Sequence, residues 1–308
     1  MGNSPLVTVN ILTYNRREDL RNTLQKVSSQ NYKNIETVVV DNASTDGTAE
    51  MIRGEFPFVK YIGLEKNIGI AGWNEGFKSA KGEYILVLDD DSYPTDDCIQ
   101  KGIEKFWTNN KLAVAGFQIF NTFLKEFEIS KPVHNPKFFI GCGALIKKEI
   151  FSDVGYYNSN IFVYYHEHDF TARCYSKYYD VVILEDAVVI HNQSVKSRGD
   201  DKNLNPFVSG YRYYHHFISY SIFLLQRFYF RHCLFYFLKW IMNRLIIGVR
   251  FGYYKTFVKA LFYLLVNSIH IIKKREVLNN ETQKFYRYGS EALIDRTYFP
   301  NFKKPKFF

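Results

Sequence analysis

The chain has 308 residues, 46% of them apolar, which excludes intrinsic disorder and leaves room for one large domain with an appendage, or for two domains. Its net charge of +9 is divided unevenly, with 23 Lys and Arg against 27 Asp and Glu in residues 1–205, and 17 against 4 in residues 206–308. The four cysteines, Cys98, Cys142, Cys174 and Cys233, lack the short paired spacing of a zinc site or a disulfide framework and read as buried thiols of a reducing compartment.

Met1 to Pro5 leads straight into an apolar stretch, without the basic segment and long apolar region of a signal peptide, so a cytoplasmic location is expected. Leu6 to Leu12 reads as a strand, and Arg16 to Ser28 carries apolar residues at helical spacing. Ile35 to Val40 is a second strand, followed by a helix from about Thr45 to Glu55. Phe58 to Ile62 is a short strand, Gly69 to Ala80 a helix, and Glu83 to Leu88 another strand. This β-α alternation implies a mainly parallel central sheet with right-handed crossovers and flanking helices, a Rossmann-like α/β fold.

The run Tyr84-Ile85-Leu86-Val87-Leu88 is apolar on both faces and ends in three carboxylates, Asp89, Asp90 and Asp91. Open α/β sheets bind ligands at that edge. Clustered carboxylates repel one another, and a divalent cation keeps them charged side by side, with oxygen ligands suiting Mg2+ or Mn2+. The plainer reading is a solvated acidic turn before a helix opened by Pro94, Thr95, Asp96 and Asp97.

The first two strands also end in polar residues, Thr13-Tyr14-Asn15-Arg16 and Asp41-Asn42-Ala43-Ser44-Thr45-Asp46-Gly47. Asp41 can accept a hydrogen bond from a pyrimidine imide, and the same segment reads as a turn with a helix cap from Ser44 or Thr45; both can hold. No Gly-x-Gly-x-x-Gly follows the first strand, which excludes a dinucleotide-binding dehydrogenase. Leu12 to Asn15 is not the glycine-rich basic loop of a sugar nucleotidyltransferase.

These residues, with Val39-Val40 before Asp41, Thr48 after Gly47, and Asn67-Ile68-Gly69, Asn74-Glu75-Gly76, Gly141-Cys142-Gly143 and Tyr164-Tyr165-His166-Glu167-His168-Asp169-Phe170, resemble inverting family 2 glycosyltransferases of the glycosyltransferase-A fold. The resemblance runs through roughly the first 200 residues, to His191. It implies a nucleotide-sugar site in which Thr13 and Asn15 line the base pocket, Asp41 contacts the uracil or thymine ring and Asp89 lies near the ribose, with Asn67, Asn74 and Asp90 at the same edge. It further implies that Asp91, with Asp89 and His191, holds the metal that bridges the donor diphosphate. His191 closes the run Ala187-Val188-Val189-Ile190, where a lone histidine also serves as a plain hydrogen-bonding residue.

Inversion requires a base for the acceptor hydroxyl. Many relatives have Glu-Asp-x-Asp where this chain has His166-Glu167-His168-Asp169, so Glu167 is the expected catalytic base, and Asp169 its rival. Both also suit the first turn of a helix that continues through Thr171 and Arg173. Phe138, Phe139, Phe162, Tyr164 and Tyr165 are candidate acceptor-side aromatics that equally suit a core. Gln193 to Asn205 is polar and reads as a lid over bound donor or as a linker.

The back half joins basic residues to aromatics, as in Phe235-Tyr236-Phe237-Leu238-Lys239-Trp240, a composition that fits an anionic membrane surface. No stretch there has the apolar length of a spanning helix, so helices in the membrane plane are expected, broken at Gly248 and Gly252; the alternative is a helical cap on the catalytic domain. No recognition motif for nucleic acid accompanies the basic residues.

The organisation expected is a catalytic domain over residues 1–205, a basic aromatic helical region over 206–280 and a basic tail over 281–308. The function expected is metal-dependent sugar transfer from a UDP- or dTDP-sugar to a glycan or lipid-linked oligosaccharide at the inner face of the membrane. The alternative is a non-catalytic or weakly active nucleotide-sugar-binding membrane scaffold of the same fold.

Overall fold

The first apolar run folds as strand β1 (Val7–Thr13), whose Val7, Val9 and Ile11 enter the core. Its intervening residues Thr8 and Asn10 are just as buried, but both are hydrogen-bonded: Asn10 Nδ2 donates to the Trp73 carbonyl at 3.0 Å, and Thr8 Oγ1 accepts from the Gly82 amide at 2.9 Å. Gly76 lies against Asn10 so closely that a Cβ there would be 2.0 Å from Asn10 Oδ1. The structure, a computed structural model, describes residues 4–128, 133–192 and 209–288.

Helix α1 (Arg17–Ser28), β2 (Ile35–Asp41), α2 (Thr48–Glu55), β3 (Lys60–Gly63), α3 (Trp73–Ser79) and β4 (Tyr84–Asp89) follow in the expected alternation. Next come β5 (Ser92–Pro94), α4 (Cys98–Thr108), β6 (Leu112–Asn121), β7 (Glu126–Phe127), β8 (Val133–His134), β9 (Ala144–Lys147), α5 (Phe151–Val154), α6 (His166–Ser176) and β10 (Asp180–His191). The sheet order is β3-β2-β1-β4-β9-β6-β10-β5. Its first four strands are mutually parallel; β9 runs antiparallel to β4 and β6, and β10 is parallel to β6.

From β1 the chain moves outward to β2 and β3, then returns to place β4 on the other side of β1. Such a reversal opens a crevice at the carboxyl ends of the two central strands. The register puts Thr13 opposite Asp41, and Leu12 opposite Asp89, along that edge.

Two local expectations change. Pro94 does not open a helix: Ser92, Tyr93 and Pro94 pair with His191, Ile190 and Val189, and α4 begins at Cys98. Because β5 is the last strand of the sheet order, an edge position without a backbone N–H is tolerated. Helix α2 begins at Thr48 after Gly47 at φ 85°, and neither Ser44 nor Thr45 caps it; Asp46 Oδ1 accepts from the Thr48 amide at 3.2 Å.

The chain divides into two compact units, residues 1–157 with 170–198, and residues 158–169 with 199–308. The second unit contains α7 (Gly210–Arg227), α8 (Phe230–Arg250), α9 (Tyr254–Val266), α10 (Ser268–Lys273) and α11 (Asn280–Tyr288). Phe217 of α7 packs on Trp240 of α8 and stacks on Phe257 of α9, with ring centroids 6.4 and 5.4 Å away. Gly252, at φ 75°, separates α8 from α9. Gly248 lies inside α8 and does not break it; a Cβ there would be 2.8 Å from the Tyr213 hydroxyl, so this glycine serves close packing. Segment 158–169 is tied to these helices by Asn158 Nδ2 donating to Gln226 Oε1 at 2.7 Å and by Ser219 Oγ donating to the Val163 carbonyl at 2.7 Å. The 205/206 boundary and the Gln193 to Asn205 segment lie outside the described residues, as do residues 289–308 of the tail.

Candidate active site

The acidic triplet sits where β4 ends and the chain turns back into β5. Asp89 closes β4, while Asp90 and Asp91 occupy the turn and are buried. Asp90 Oδ2 accepts from Thr13 Oγ1 at 2.9 Å, and its backbone carbonyl accepts from Thr23 Oγ1 at 2.8 Å. Arg16 joins the two buried carboxylates, with NH1 2.8 Å from Asp90 Oδ1 and NH2 2.7 Å from Asp91 Oδ2. Burial raises the Asp90 carboxyl well above its ordinary range even beside Arg16, and burial together with Asp91 pushes Asp89 up to about 6. For Asp91 burial acts in the same sense, but His191 and Arg16 outweigh it and hold the group below the ordinary carboxylate range.

His191 arrives from the far side of the sheet. The β5–β10 pairing sets His191 opposite Ser92, which brings its Nε2 to 3.3 Å from Asp91 Oδ1. Its Nδ1 lies 2.7 Å from Glu128 Oε1, and that carboxylate also accepts from Asn121 Nδ2 at 2.9 Å. Burial disfavours the charged imidazole, yet Cys142, Asp91 and Glu128 raise His191 well above its ordinary value.

Asp91 Oδ1 is buried with no well-formed hydrogen bond and faces His191 Nε2 at 3.3 Å, an arrangement that a bound cation would satisfy further. Ligand atoms of Asp89, Cys142 and His191 lie within 4.8 Å of one another. Carboxylate oxygen and imidazole nitrogen suit Mg2+ or Mn2+. The softer Cys142 thiol suits those hard ions poorly, and burial pushes it up to about 12. Asp89 and His191 are thus the members of that cluster whose donor atoms suit such a divalent cation, and Asp91 lies beside His191.

The neighbouring loops are cross-linked. Asp41 is buried, with Oδ1 accepting from the Ser44 amide at 2.8 Å and Oδ2 from the Tyr61 hydroxyl at 2.9 Å, each oxygen retaining a second lone pair. Asn15, at φ 53°, accepts from the Thr45 amide at 2.7 Å, and its own amide donates to Ser44 Oγ at 2.8 Å. Asn67 Oδ1 accepts from the Gly69 amide at 2.8 Å. Asn74 binds both the amide and the carbonyl of Tyr157, at 3.0 and 2.9 Å, so its polar atoms are committed within the fold.

In the second unit, α6 opens with Glu167 and Asp169, both buried. Asp169 accepts from Arg227 Nε at 2.6 Å and from Arg227 NH2 at 3.3 Å, a bidentate buried pair. Glu167 Oε2 lies 3.1 Å from His166 Nδ1, an imidazole pushed down to about 3 by burial. Tyr164 and Tyr165 enter this helix at φ 63° and 59°, consecutive left-handed residues of a kind that clusters at functional sites. Tyr164 stacks on His216 at 4.0 Å and Phe162 on His215 at 5.1 Å, whereas Phe138 and Phe139 are core residues of the first unit. The first unit thus gathers Thr13, Asp41, Asp89, Asp90, Asp91 and His191 at one sheet edge, and the second holds Glu167 and Asp169.

Sequence reading missed Arg16 and Glu128. Arg16 stood in the quoted motif after the first strand, and its charge beside three carboxylates was the available signal. Glu128 gave none, because only the return of β10 brings a histidine to it.

A search of solved structures finds the fold in the mannosyltransferase PcManGT from Pyrobaculum calidifontis, in complex with GDP-Man and Mn2+, at TM-score 0.53 and 19% identity over 86% of this chain and 76% of that one. GalNAc-T7, solved with UDP, GalNAc and Mn2+, aligns at TM-score 0.60 and 13% identity over 87% of this chain and 58% of that one. Among curated sequences, the poly-beta-1,6-N-acetyl-D-glucosamine synthase of Staphylococcus epidermidis is 40% identical over 108 residues, which is 33% of this chain and 26% of the synthase. The aligned part is thus about a quarter of that relative's length. The profile described as Glycosyl transferase family 2 matches residues 8–169, spanning both the acidic strand end and the first turn of α6, and on that match the chain belongs to glycosyl transferase family 2.

Proposed function

We propose that the chain is an inverting glycosyltransferase that moves a sugar from a UDP- or dTDP-sugar to a hydroxyl of a glycan or lipid-linked oligosaccharide, while associated peripherally with the cytoplasmic face of a membrane. The observation that carries this reading is Asp91: a buried carboxylate at the crevice of the sheet, with Oδ1 facing His191 Nε2 at 3.3 Å, in a chain of this family. Asp91, Asp89 and His191 would hold Mg2+ or Mn2+, which supplies positive charge against the departing diphosphate. Solved neighbours of the same fold carry Mn2+, consistent with that choice.

The chain's own residues do the rest. Arg16 fixes the orientation of Asp90 and Asp91 and offsets their mutual repulsion. Asp41, anchored by Ser44 and Tyr61, offers its remaining lone pairs to the imide of the base, and Thr13 and Asn15 shape that pocket. In the displacement the acceptor oxygen bonds to the anomeric carbon as the bond to the diphosphate oxygen breaks, and that oxygen keeps the electron pair. Glu167 takes the hydroxyl proton. Asp169 is assigned the structural part, because both its oxygens bind Arg227.

A panel of UDP- and dTDP-sugars, scored for Mn2+-dependent hydrolysis and for thermal stabilisation, tests the reading. Metal-dependent turnover of one donor is expected. A panel in which no donor binds or reacts, with or without metal, would overturn it.

A further inference from the structure

Between Lys202 and Arg275 the chain contains no acidic residue, and this stretch includes all of α7, α8 and α9. Within it, Phe230, Leu234, Phe235, Leu238, Met242 and Ile246 of α8 are all exposed. At 3.6 residues per turn these side chains and Val249 occupy an arc of roughly 160°. Lys239 and Arg250 lie along one margin of that arc, and Arg231 sits within it at the first turn. The opposite side of α8, with Cys233, Trp240, Arg244 and Gly248, is buried.

Helix α9 repeats the arrangement. Tyr254, Val258, Phe262 and Leu265 are exposed, Lys255 and Lys259 lie along one margin, and Phe257, Ala260 and Leu264 are buried. Since Phe217 of α7 contacts Trp240 on one helix and Phe257 on the other, the buried sides of α8 and α9 both face α7, and their outer faces turn away from it together. The result is one apolar surface with a basic margin, far larger than the scattered exposed apolar residues of an ordinary soluble surface.

We infer that the outer faces of α8 and α9 lie flat in an anionic lipid leaflet, apolar side chains reaching the upper acyl region and Lys239, Arg250, Lys255 and Lys259 meeting the headgroups. This inference rests on the membrane placement proposed above and gives it a surface and a lipid chemistry. Charge selects the occupant. A second copy of the chain meeting this face by two-fold symmetry would set these bases against their own counterparts, with no acidic residue on either helix to pair them. Crossing the bilayer is not the mode, since no helix among the described residues is long and apolar enough to span it.

The test uses the full chain and vesicles of equal parts phosphatidylglycerol and phosphatidylcholine, with pure phosphatidylcholine for comparison. Wild type should float with the anionic vesicles and bind the neutral ones at least about tenfold more weakly. The combined variant Phe235→Glu, Leu238→Glu and Ile246→Glu should lose about tenfold or more in partitioning, at unchanged Tm because all three side chains are exposed. Phe262→Glu with Leu265→Glu should act in the same direction. A Phe235→Trp reporter should be quenched by brominated lipid. Undiminished vesicle binding by both Glu variants, an unquenched reporter, or variants that abolish self-association while leaving vesicle binding intact would each overturn the inference. Mn2+-dependent donor hydrolysis in free solution should be the same in wild type and variants. Its absence from both would sink the sugar-transfer reading while leaving the lipid result standing.

Discussion

Arg227 grips Asp169 through two donors, Nε at 2.6 Å from Oδ1 and NH2 at 3.3 Å from Oδ2, across 58 residues of sequence. A carboxylate so occupied is a poor proton acceptor, because its charge already answers a buried guanidinium. Glu167, one residue beyond His166 on the same helical turn, lies 3.1 Å from that imidazole, and the two acids should respond differently to neutralisation. Glu167→Gln should lower sugar transfer by about 10²- to 10⁴-fold and leave nucleotide binding near wild type. Asp169→Asn should instead lower stability by about 3 kcal/mol, since Arg227 loses its main buried counter-charge. Steady-state transfer and urea denaturation of both variants decide it; an Asp169→Asn enzyme that is fully stable but inactive would reverse the roles.

The metal site makes a second claim. Asp91→Asn keeps the shape of the side chain but removes the charge beside His191, so Mn2+-dependent donor turnover should fall by about 100-fold or more. Calorimetric titration of Mn2+ with UDP should show the affinity lost along with the turnover. Unchanged turnover would remove Asp91 from the mechanism.

Arg16 should prove necessary without touching the sugar. Arg16→Lys retains a charge but cannot present two donors to two carboxylates, and Arg16→Met removes the charge altogether. The expected order of Mn2+-dependent turnover is wild type, then Lys, then Met, with stability of the Met variant reduced by about 2 kcal/mol after allowing for solvent screening of a partly exposed arginine. Equal activity of all three proteins would show that Asp90 and Asp91 need no clamp.

Acidification should weaken the helical unit through His216. Burial, with Arg244 and Arg212 nearby, pushes this imidazole down to about 3, below the value it regains on unfolding. Below about pH 6.5 the unfolded chain therefore binds a proton that the folded chain does not, and stability falls as pH drops toward 3. From pH 7 to pH 5 the share from this group is about 1–2 kcal/mol. His216→Phe, which keeps a ring against Tyr164, should shrink the shift in urea midpoint over that interval; an identical shift in both proteins would refute the assignment.

Much of the catalytic unit was legible because local rules govern it. The alternation from Leu6 to Leu88 reports the β-α repeats, and the Asp89 to Asp91 triplet marks a strand end whatever follows. Other features have no local signature. Pro94 read as a helix opening because nothing near it discloses the pairing with Val189, 95 residues on. Gly248 and Gly252 look alike in sequence, and only the approach of Tyr213 from another helix separates a packing glycine from a turn glycine. The triad of Asp91, His191 and Glu128 joins three distant segments, so periodicity and motif spacing could supply its members only in part.

Three residues of β5 bind these distant parts together. Each residue from Ser92 to Pro94 has a fixed opposite number on β10, and a strand alternates sides at every step. Adding or deleting one residue there would slide the seam by a full position and swing Asp91 to the wrong side of His191. The spacing between the last aspartate and that short strand should therefore resist length variation far more than the surface loops do, even where the side chains of Ser92 and Tyr93 change freely.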